Sequence, residues 1–313
     1  QELIRQYGLK NPETGEGLDV EVVIASVRDS VRIEEIFDEY RPEIVFHAAA
    51  HKHVPLMEGS SCEAIKNNVL GTYNVANAAE KFGVKNFLLV SSDKAVNPTN
   101  IMGSTKTLCE MVVQCRQDSN TKFCATRFGN VLGSNGSVIP LFRKQIEAGG
   151  PLTITDKRII RYFMTIPEAA SLLVEACAMA GVGHLYVLDM GKPVKILDVA
   201  EDMIRLSGFK PYEDIDIVEI GLRPGEKLYE ELLVESQTQL GKTDNDMIFI
   251  EHMTPLTREE VEGKLDILRE AIVSTEGRGA KSGHRDAVLA AIKATVPTYR
   301  TPEEVNSEGI KGA

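Results

Sequence analysis

The chain has 313 residues, 43% hydrophobic and 26% charged, enough for one large or two modest cores. Its net charge of −11 argues against broad binding to nucleic acid or to an anionic membrane surface, though a local basic site could still take an anionic substrate. The five cysteines (Cys62, Cys109, Cys115, Cys124, Cys177) form no CxxC pair and have no histidines at zinc spacing, so they read as free thiols of a reducing cytoplasm; no metal site is expected, and no run of about 18 apolar residues could span a bilayer.

In chain order, Gln1 to Tyr7 reads as the tail of a helix and Asn11 to Gly17 as a loop. Val20 to Ser26 (VEVVIAS) is a β-branched run, predicted as a strand that ends at Arg28-Asp29. Val31 to Tyr40 has helical spacing. Glu43 to Ala50 (EIVFHAAA) is an apolar run of the kind buried on both faces of a parallel sheet. Ser61 to Phe82 is a long amphipathic helix, Lys85 to Ser92 a strand, Asn100 to Arg116 a helix and Phe123 to Gly129 a strand. This alternation predicts an α/β fold with a Rossmann-like doubly wound parallel sheet.

After about Ser134 the segments shorten, and Gly and Pro punctuate them. Ile166 to Met179 starts with Pro in its first turn, a good helix start. His184 to Leu188 reads as a strand and Ile196 to Ser207 as a helix closing on Gly208. Thr257 to Ala294 holds two more helices around the polar loop Glu276 to Gly283. The division expected is an incomplete dinucleotide-binding domain over 1–133 and, over 134–313, a smaller C-terminal substrate-binding lobe interleaved with the sheet. No G-x-G-x-x-G turn precedes Val20, so a sheet with its first βαβ unit largely missing is expected, with Val20 to Ser26 as the counterpart of the third strand.

The most specific string is Ser91-Ser92-Asp93-Lys94 followed by Asn100-Ile101-Met102-Gly103-Ser104-Thr105-Lys106. The first part lies at the carboxyl end of a strand, where open α/β sheets place ligands, and Met102 and Lys106 share a helix face. The set resembles the Ser…Tyr-x-x-x-Lys group of the extended short-chain dehydrogenase/reductase superfamily, with Met102 where tyrosine is usual. The longer string SSDKAVNPTNIMGSTK is similar to that of the CapD-type polysaccharide-biosynthesis proteins, UDP-N-acetylglucosamine 4,6-dehydratases whose larger, membrane-anchored branch carries the same Tyr-to-Met departure. The likeness continues through His47-Ala48-Ala49-Ala50-His51-Lys52-His53-Val54-Pro55-Leu56-Met57-Glu58, through Asn67-Asn68-Val69, through Arg127-Phe128-Gly129-Asn130, and through Arg223-Pro224-Gly225-Glu226.

The resemblance implies roles. Asp29 would meet the adenine amine of NAD, Ala48, Ala49 and Ala50 would let the backbone approach the cofactor, and Asn68 would brace the active-site backbone. Asn130 and Arg223 would contact the diphosphate of a UDP-sugar, Glu226 its ribose, and Arg161 a phosphate. From the residues alone, Asp29 reads equally as a strand-end turn residue, Arg161 equally as structural, and His47 or His53 more readily as a hydrogen-bonded core or loop histidine.

The implied reaction is NAD-dependent 4,6-dehydration of a UDP-N-acetylhexosamine. Hydride leaves C4 for the nicotinamide, water is eliminated across C5 and C6, and the hydride returns to C6. Asp93 is assigned as the acid for the 6-hydroxyl and Lys94 as the C5 base. Lys106 would hold the nicotinamide ribose and Ser92 would bond the substrate near C4. A thioether accepts no proton, so with Met102 in place of tyrosine the 4-hydroxyl proton must pass to Asp93 or to water. The rival readings are a UDP-sugar 4-epimerase, a C5-inverting dehydratase and a non-catalytic UDP-sugar-binding remnant. A homo-oligomer without nucleic-acid partners is expected, cytoplasmic, or held on the inner face of the cell membrane in its full-length form. The chain alone is expected to be poorly stable, for want of a central strand.

Overall fold

In a computed structural model of the chain, which describes residues 10, 14–231, 240–252, 254–275 and 283–309, helix α1 (Ser30–Tyr40) starts at Asp29, whose carboxylate accepts from the Arg32 amide. Then come β1 (Ile44–His47), the short α2 (Val54–Gly59), and one helical rod made of α3 (Ser61–Ala64), a π-helical stretch (Ile65–Leu70) and α4 (Gly71–Lys81). They are followed by β2 (Asn86–Val90), a 3₁₀ turn (Asp93–Ala95), α5 (Ile101–Gln114) and β3 (Lys122–Arg127). The next stretch holds β4 (Asn130–Val131), α6 (Val138–Glu147), β5 (Leu152–Ile154), β6 (Ile160–Arg161), β7 (Phe163–Met164), α7 (Ile166–Ala178) and β8 (His184–Leu188). The chain continues through β9 (Val194–Lys195), α8 (Ile196–Leu206), β10 (Ile217–Glu219), β11 (Leu240–Lys242), β12 (Ile248–Glu251), α9 (Arg258–Thr275), α10 (Gly283–Thr295) and α11 (Pro302–Gly309).

The main sheet has the order β1-β2-β3-β8-β12-β11, the first four strands parallel and the last two antiparallel. Its apolar runs are continuous because alternate residues enter opposite cores. Phe87, Leu89, Phe123, Ala125 and Leu185 pack on one face with α4, α5, α9 and α10, whereas Leu88, Cys124, Tyr186 and Leu188 pack on the other against α7. This is the doubly wound sheet that the alternation predicts. Helix α7 begins with a full capping box, Thr165 with Glu168, and Pro167 in its first turn. A third core (Phe142, Ile146, Leu152, Ile154, Ile196, Ile204) binds α6, β5 and α8 into a smaller lobe. The sequence groups α9 and α10 with that lobe. In the structure their apolar stripes, Val261, Leu265, Leu268, Val288 and Ile292, join the core beside the sheet and pack against α3 and α5.

One predicted strand is absent. Val20 to Ser26 is without regular structure, and Val22 and Ile24 are 73% and 92% exposed. β-branched composition yields a strand only where a ladder takes up its backbone groups, and among the described residues β1 is the edge of the sheet with no strand beyond it. The helix expected over Gln1 to Tyr7, residues 11–13 of the first loop and residues 276–282 of the later one lie outside the described residues; Gly283 already belongs to α10. The five cysteines are free thiols, and among the described residues no helix is long and apolar enough to cross a membrane.

An ion triad crosses the sheet. Arg127 at the end of β3, fully buried, is bidentate on Glu110 of α5 (Nε to Oε1 2.8 Å, Nη2 to Oε2 2.7 Å) and also pairs with Glu251 of β12. Substituting Arg127→Met leaves two buried acidic side chains without their cation. The expected cost is about 3–5 kcal/mol, read as a lower midpoint of urea unfolding; a change within about 0.5 kcal/mol would show that the triad contributes nothing net.

Candidate active site

A cavity of about 470 Å³ opens at the carboxyl ends of β1, β2 and β3, between the sheet and the smaller lobe. Its size is that of a small-molecule site, and its position is where a parallel sheet presents ligands. The floor comes from the chain leaving β2. Ser91 and Asp93 still donate their amides to the Thr126 and Phe128 carbonyls (2.8 and 3.0 Å), so this segment stays registered on the chain leaving β3. Ser92 caps the 3₁₀ turn; its hydroxyl donates to Asp93 Oδ1 at 2.8 Å and accepts from the Lys94 amide at 3.3 Å. Lys94 Nζ donates to Asp93 Oδ1 at 3.0 Å and to Asn130 Oδ1 at 3.5 Å, and stands 3.6 Å from Glu230 Oε1.

Helix α5 presses on this turn. A Cβ at Gly103 would overlap the Lys94 carbonyl oxygen, so only glycine permits the approach. Asn100 caps α5 through the Gly103 amide (2.7 Å) and donates to the Gly225 carbonyl (3.0 Å), which ties the helix start to the turn 223–226. Gly225 has φ +81°, and a Cβ there would stand 2.8 Å from that of Asn100. Glu58 accepts from the Ile101 amide at 2.8 Å while Arg285 of α10 holds its other oxygen at 2.8 Å. Met102 is buried at the cavity wall, and Lys106 Nζ donates to the Val90 carbonyl at 2.8 Å. Burial pushes the Lys106 pKa below the ordinary lysine value, with Cys109 and Glu110 opposing the shift.

Of the residues singled out in the sequence, Ser92, Lys94, Met102, Lys106, Ala48, Ala50, Asn130, Arg161, Arg223 and Glu226 line the cavity together. Asp93 does not: it is 1% exposed and lies behind Ser92 and Lys94. Its Oδ2 has no hydrogen-bond partner among the described residues. Asn68 is buried in the π-helical stretch and clamps the loop after β1, accepting from the His51 amide (2.7 Å) and donating to the His51 carbonyl (3.1 Å) and to Thr105 Oγ1 (3.0 Å). Ala49 and Asp29 are outside the cavity lining, and Asp29 serves as the cap of α1. Arg161 donates to three main-chain carbonyls, Ile160 (2.7 Å), Leu228 (3.1 Å) and Lys227 (2.8 Å), a structural use beside its place at the wall. Arg223 is half-exposed and pairs with Glu226 at 3.2 Å; Glu226 also accepts from Thr155 at 3.2 Å.

Sequence reasoning passed over Lys52, Glu58 and Glu230. Lys52 lines the cavity and bonds Ser134 Oγ at 3.2 Å; burial and the nearby Lys94 charge lower its pKa. Lys52 and Glu58 stand inside the quoted string His47 to Glu58 and Glu230 four residues after Glu226, but a charge in one dimension looks solvated, and the sequence attaches no role to them. His47 is a core histidine at the end of β1, hydrogen-bonded to Thr72 Oγ1 at 2.9 Å.

Two outcomes follow from these contacts. Gly103→Ala, which in an open helix would stabilise by about 1 kcal/mol, should instead destabilise by about 1–3 kcal/mol, seen as a lower melting temperature. Burial first, and the Lys106 charge second, push the His47 pKa down to about 4, so the folded protein holds it neutral while the unfolded chain binds a proton below about 6.5. Its contribution to stability is therefore present above about pH 6.5 and lost as pH falls toward 4, roughly 2 kcal/mol between pH 7 and pH 5. Urea titrations of the chain and of His47→Gln should differ in pH dependence by that amount; equal slopes would refute it.

The chain resembles known proteins. Residues 1–252 match the family described as polysaccharide biosynthesis protein. The capsular polysaccharide biosynthesis protein CapD of Staphylococcus aureus is 55% identical over 239 residues, 76% of this chain, and the chain spans 39% of that protein's length. Among solved structures, Pen from Bacillus thuringiensis superposes with a TM-score of 0.71 at 34% identity, covering 82% of this chain and 78% of that one. The UDP-glucose 4-epimerase of Thermus thermophilus, solved in complex with NAD, has a TM-score of 0.62 at 21% identity (74% and 85% covered), a likeness of fold. The chain, with its doubly wound sheet and with the Ser-Asp-Lys turn at the strand ends, belongs to the polysaccharide biosynthesis protein family.

Proposed function

We propose that the chain carries the catalytic part of an NAD-dependent dehydratase that converts a UDP-N-acetylhexosamine, UDP-N-acetylglucosamine foremost, to a 4-keto-6-deoxy sugar nucleotide for surface polysaccharide. The observation that carries the reading is the Ser92–Asp93–Lys94 group against Asn130 on the cavity floor. Exchange of hydride at C4 suffices for an epimerase. Elimination also needs an acid and a base side by side, and this turn supplies them. Family membership supports sugar-nucleotide chemistry in polysaccharide synthesis.

The residues at the ends of β1 and β2 fit the nicotinamide end of a dinucleotide. Ala48 and Ala50 leave room beside the backbone, Asn68 fixes the loop that bears them, and Lys106 offers an ammonium whose one hydrogen bond among the described residues goes to Val90. Asp29 at the start of α1 is the proposed adenine contact. NAD, when bound, accepts the C4 hydride and gives it back at C6. The 4-hydroxyl proton passes to the Ser92 oxygen as Ser92 gives its own to Asp93, because Met102 can hold none. Asp93 returns that proton by the same route to the departing 6-hydroxyl, while Lys94, in its neutral form, takes the C5 proton and later restores it. Asn130, Arg223 and Glu226 border the part of the cavity proposed for the UDP moiety, with Arg161 holding that wall in place.

In the full-length protein, Lys94→Met should abolish C5 proton loss and Asp93→Asn should block departure of the 6-hydroxyl, each lowering turnover by roughly 10²–10⁴-fold, whereas Met102→Leu should cost far less. Run in D₂O, the normal product should carry deuterium at C5, and substrate recovered from Lys94→Met should not. Near-normal turnover in both Lys94→Met and Asp93→Asn would overturn the assignment. NADH trapped by Lys94→Met without dehydration would support it.

A further inference from the structure

Glu230 is a carboxylate that the steps above do not use. It lies at the cavity wall with its side chain 5% exposed, and two cations face it, Lys94 Nζ at 3.6 Å and Arg161 Nη2 at 3.7 Å. Burying such a group is costly unless opposite charges accompany it, so its position depends on these cations. Its main chain is fixed as well: Arg161 grips the carbonyls of Lys227 and Leu228 just ahead of it, and Lys227 Nζ reaches the Val96 carbonyl at 3.2 Å. Lys94 in turn has three acceptors from three parts of the chain: Asp93 on the 3₁₀ turn at 3.0 Å, Asn130 on β4 at 3.5 Å, and Glu230 at 3.6 Å. These roughly match the three hydrogens of an ammonium.

We infer that Glu230 is the positioning residue of Lys94: its charge holds the ammonium at the cavity wall and governs how readily Lys94 gives up a proton to become a base. The charges that bear on the pair are Asp93 from the 3₁₀ turn, Arg161 from β6, Lys227 and Glu226 from the segment before Glu230, and Lys52 from the loop after β1. Burial by itself favours the neutral amine, but Asp93 and Glu230 together outweigh it and the Lys94 pKa is raised; Arg161 opposes them. For Glu230 burial acts toward the neutral acid, and Lys94, Arg161 and Lys227 reverse it, so the Glu230 pKa is lowered. A base must shed its proton first. Removing one of the two anions beside Lys94 therefore lets the neutral amine appear at lower pH.

The test is competitive acetylation of this chain with acetic anhydride across a pH series, with each lysine read by mass spectrometry. In Glu230→Gln the pH of half-labelling at Lys94 should fall by about one unit or more, a tenfold gain in neutral amine at a given pH, while exposed Lys210 keeps its curve. Glu230→Asp keeps the charge but withdraws it by a methylene, and should give a smaller shift of the same sign. A folded Glu230→Gln with the wild-type Lys94 curve overturns the inference; should that variant not fold, a wild-type Lys94 curve in Glu230→Asp overturns it equally. In the full-length protein the rising limb of the kcat/KM pH profile should move down in Glu230→Gln and return toward normal in Glu230→Asp. This last consequence rests on Lys94 being the base of the proposed reaction, whereas labelling needs no turnover. Shifted labelling in a protein that dehydrates no UDP-sugar would defeat the proposed function and leave the role of Glu230 standing.

Discussion

The chain leaving β2 does not leave the sheet at once. With the Ser91 amide still bonded to the end of β3 and the Asp93 amide to the chain just beyond it, the segment that bears Ser92 and Lys94 keeps strand-like hydrogen bonds although it has already begun to turn. Helix α5 is then fitted to that segment at Gly103, so Met102 and Lys106 take their positions from the same backbone. Four side chains of the cavity thus refer to one frame, and the precision that acid–base chemistry needs is supplied by main-chain hydrogen bonds.

The opposite wall is organised by charge. The turn 223–226 and the residues after it bring Arg223, Glu226 and Glu230 to the cavity, where Arg161 and Lys94 meet them. Opposite charges alternate through this cluster, which is how so many ionic groups can be partly buried in one place. The chain is anionic as a whole, yet lysines and arginines outnumber the glutamates that line the cavity.

Much of this can be read in the sequence, for identifiable reasons. Strands buried on both faces make continuous apolar runs, so β2, β3 and β8 stand out, and the string SSDKAVNPTNIMGSTK keeps catalytic candidates within one connection. Partnership is what a linear reading lacks. Val20 to Ser26 has the composition of a strand and, among the described residues, no neighbour to pair with. Glu58 resembles loop filler, yet it caps α5 from 43 residues away. Arg161 suits a phosphate, but its guanidinium is largely taken up by carbonyls of a segment about 66 positions later. Glu230 has no local mark at all; its meaning comes from the lysine facing it across the cavity.

The π-helical stretch Ile65–Leu70 sets the phase of the rod that contains it. An α-helix advances about 100° per residue, and a widened turn absorbs the angular equivalent of one extra residue. Upstream of Leu70 the rod offers Asn68 to the His51 backbone; downstream it offers Thr72 to His47. Both ends of one descending loop are thus met by one face of the rod. With all six residues kept, relaxing this stretch to an ordinary α-helix would turn the rod on its two sides by about 100° relative to one another, so Asn68 and Thr72 could no longer meet the His51 backbone and His47 together: the widened turn and the residue count of 65–70 are bound to each other.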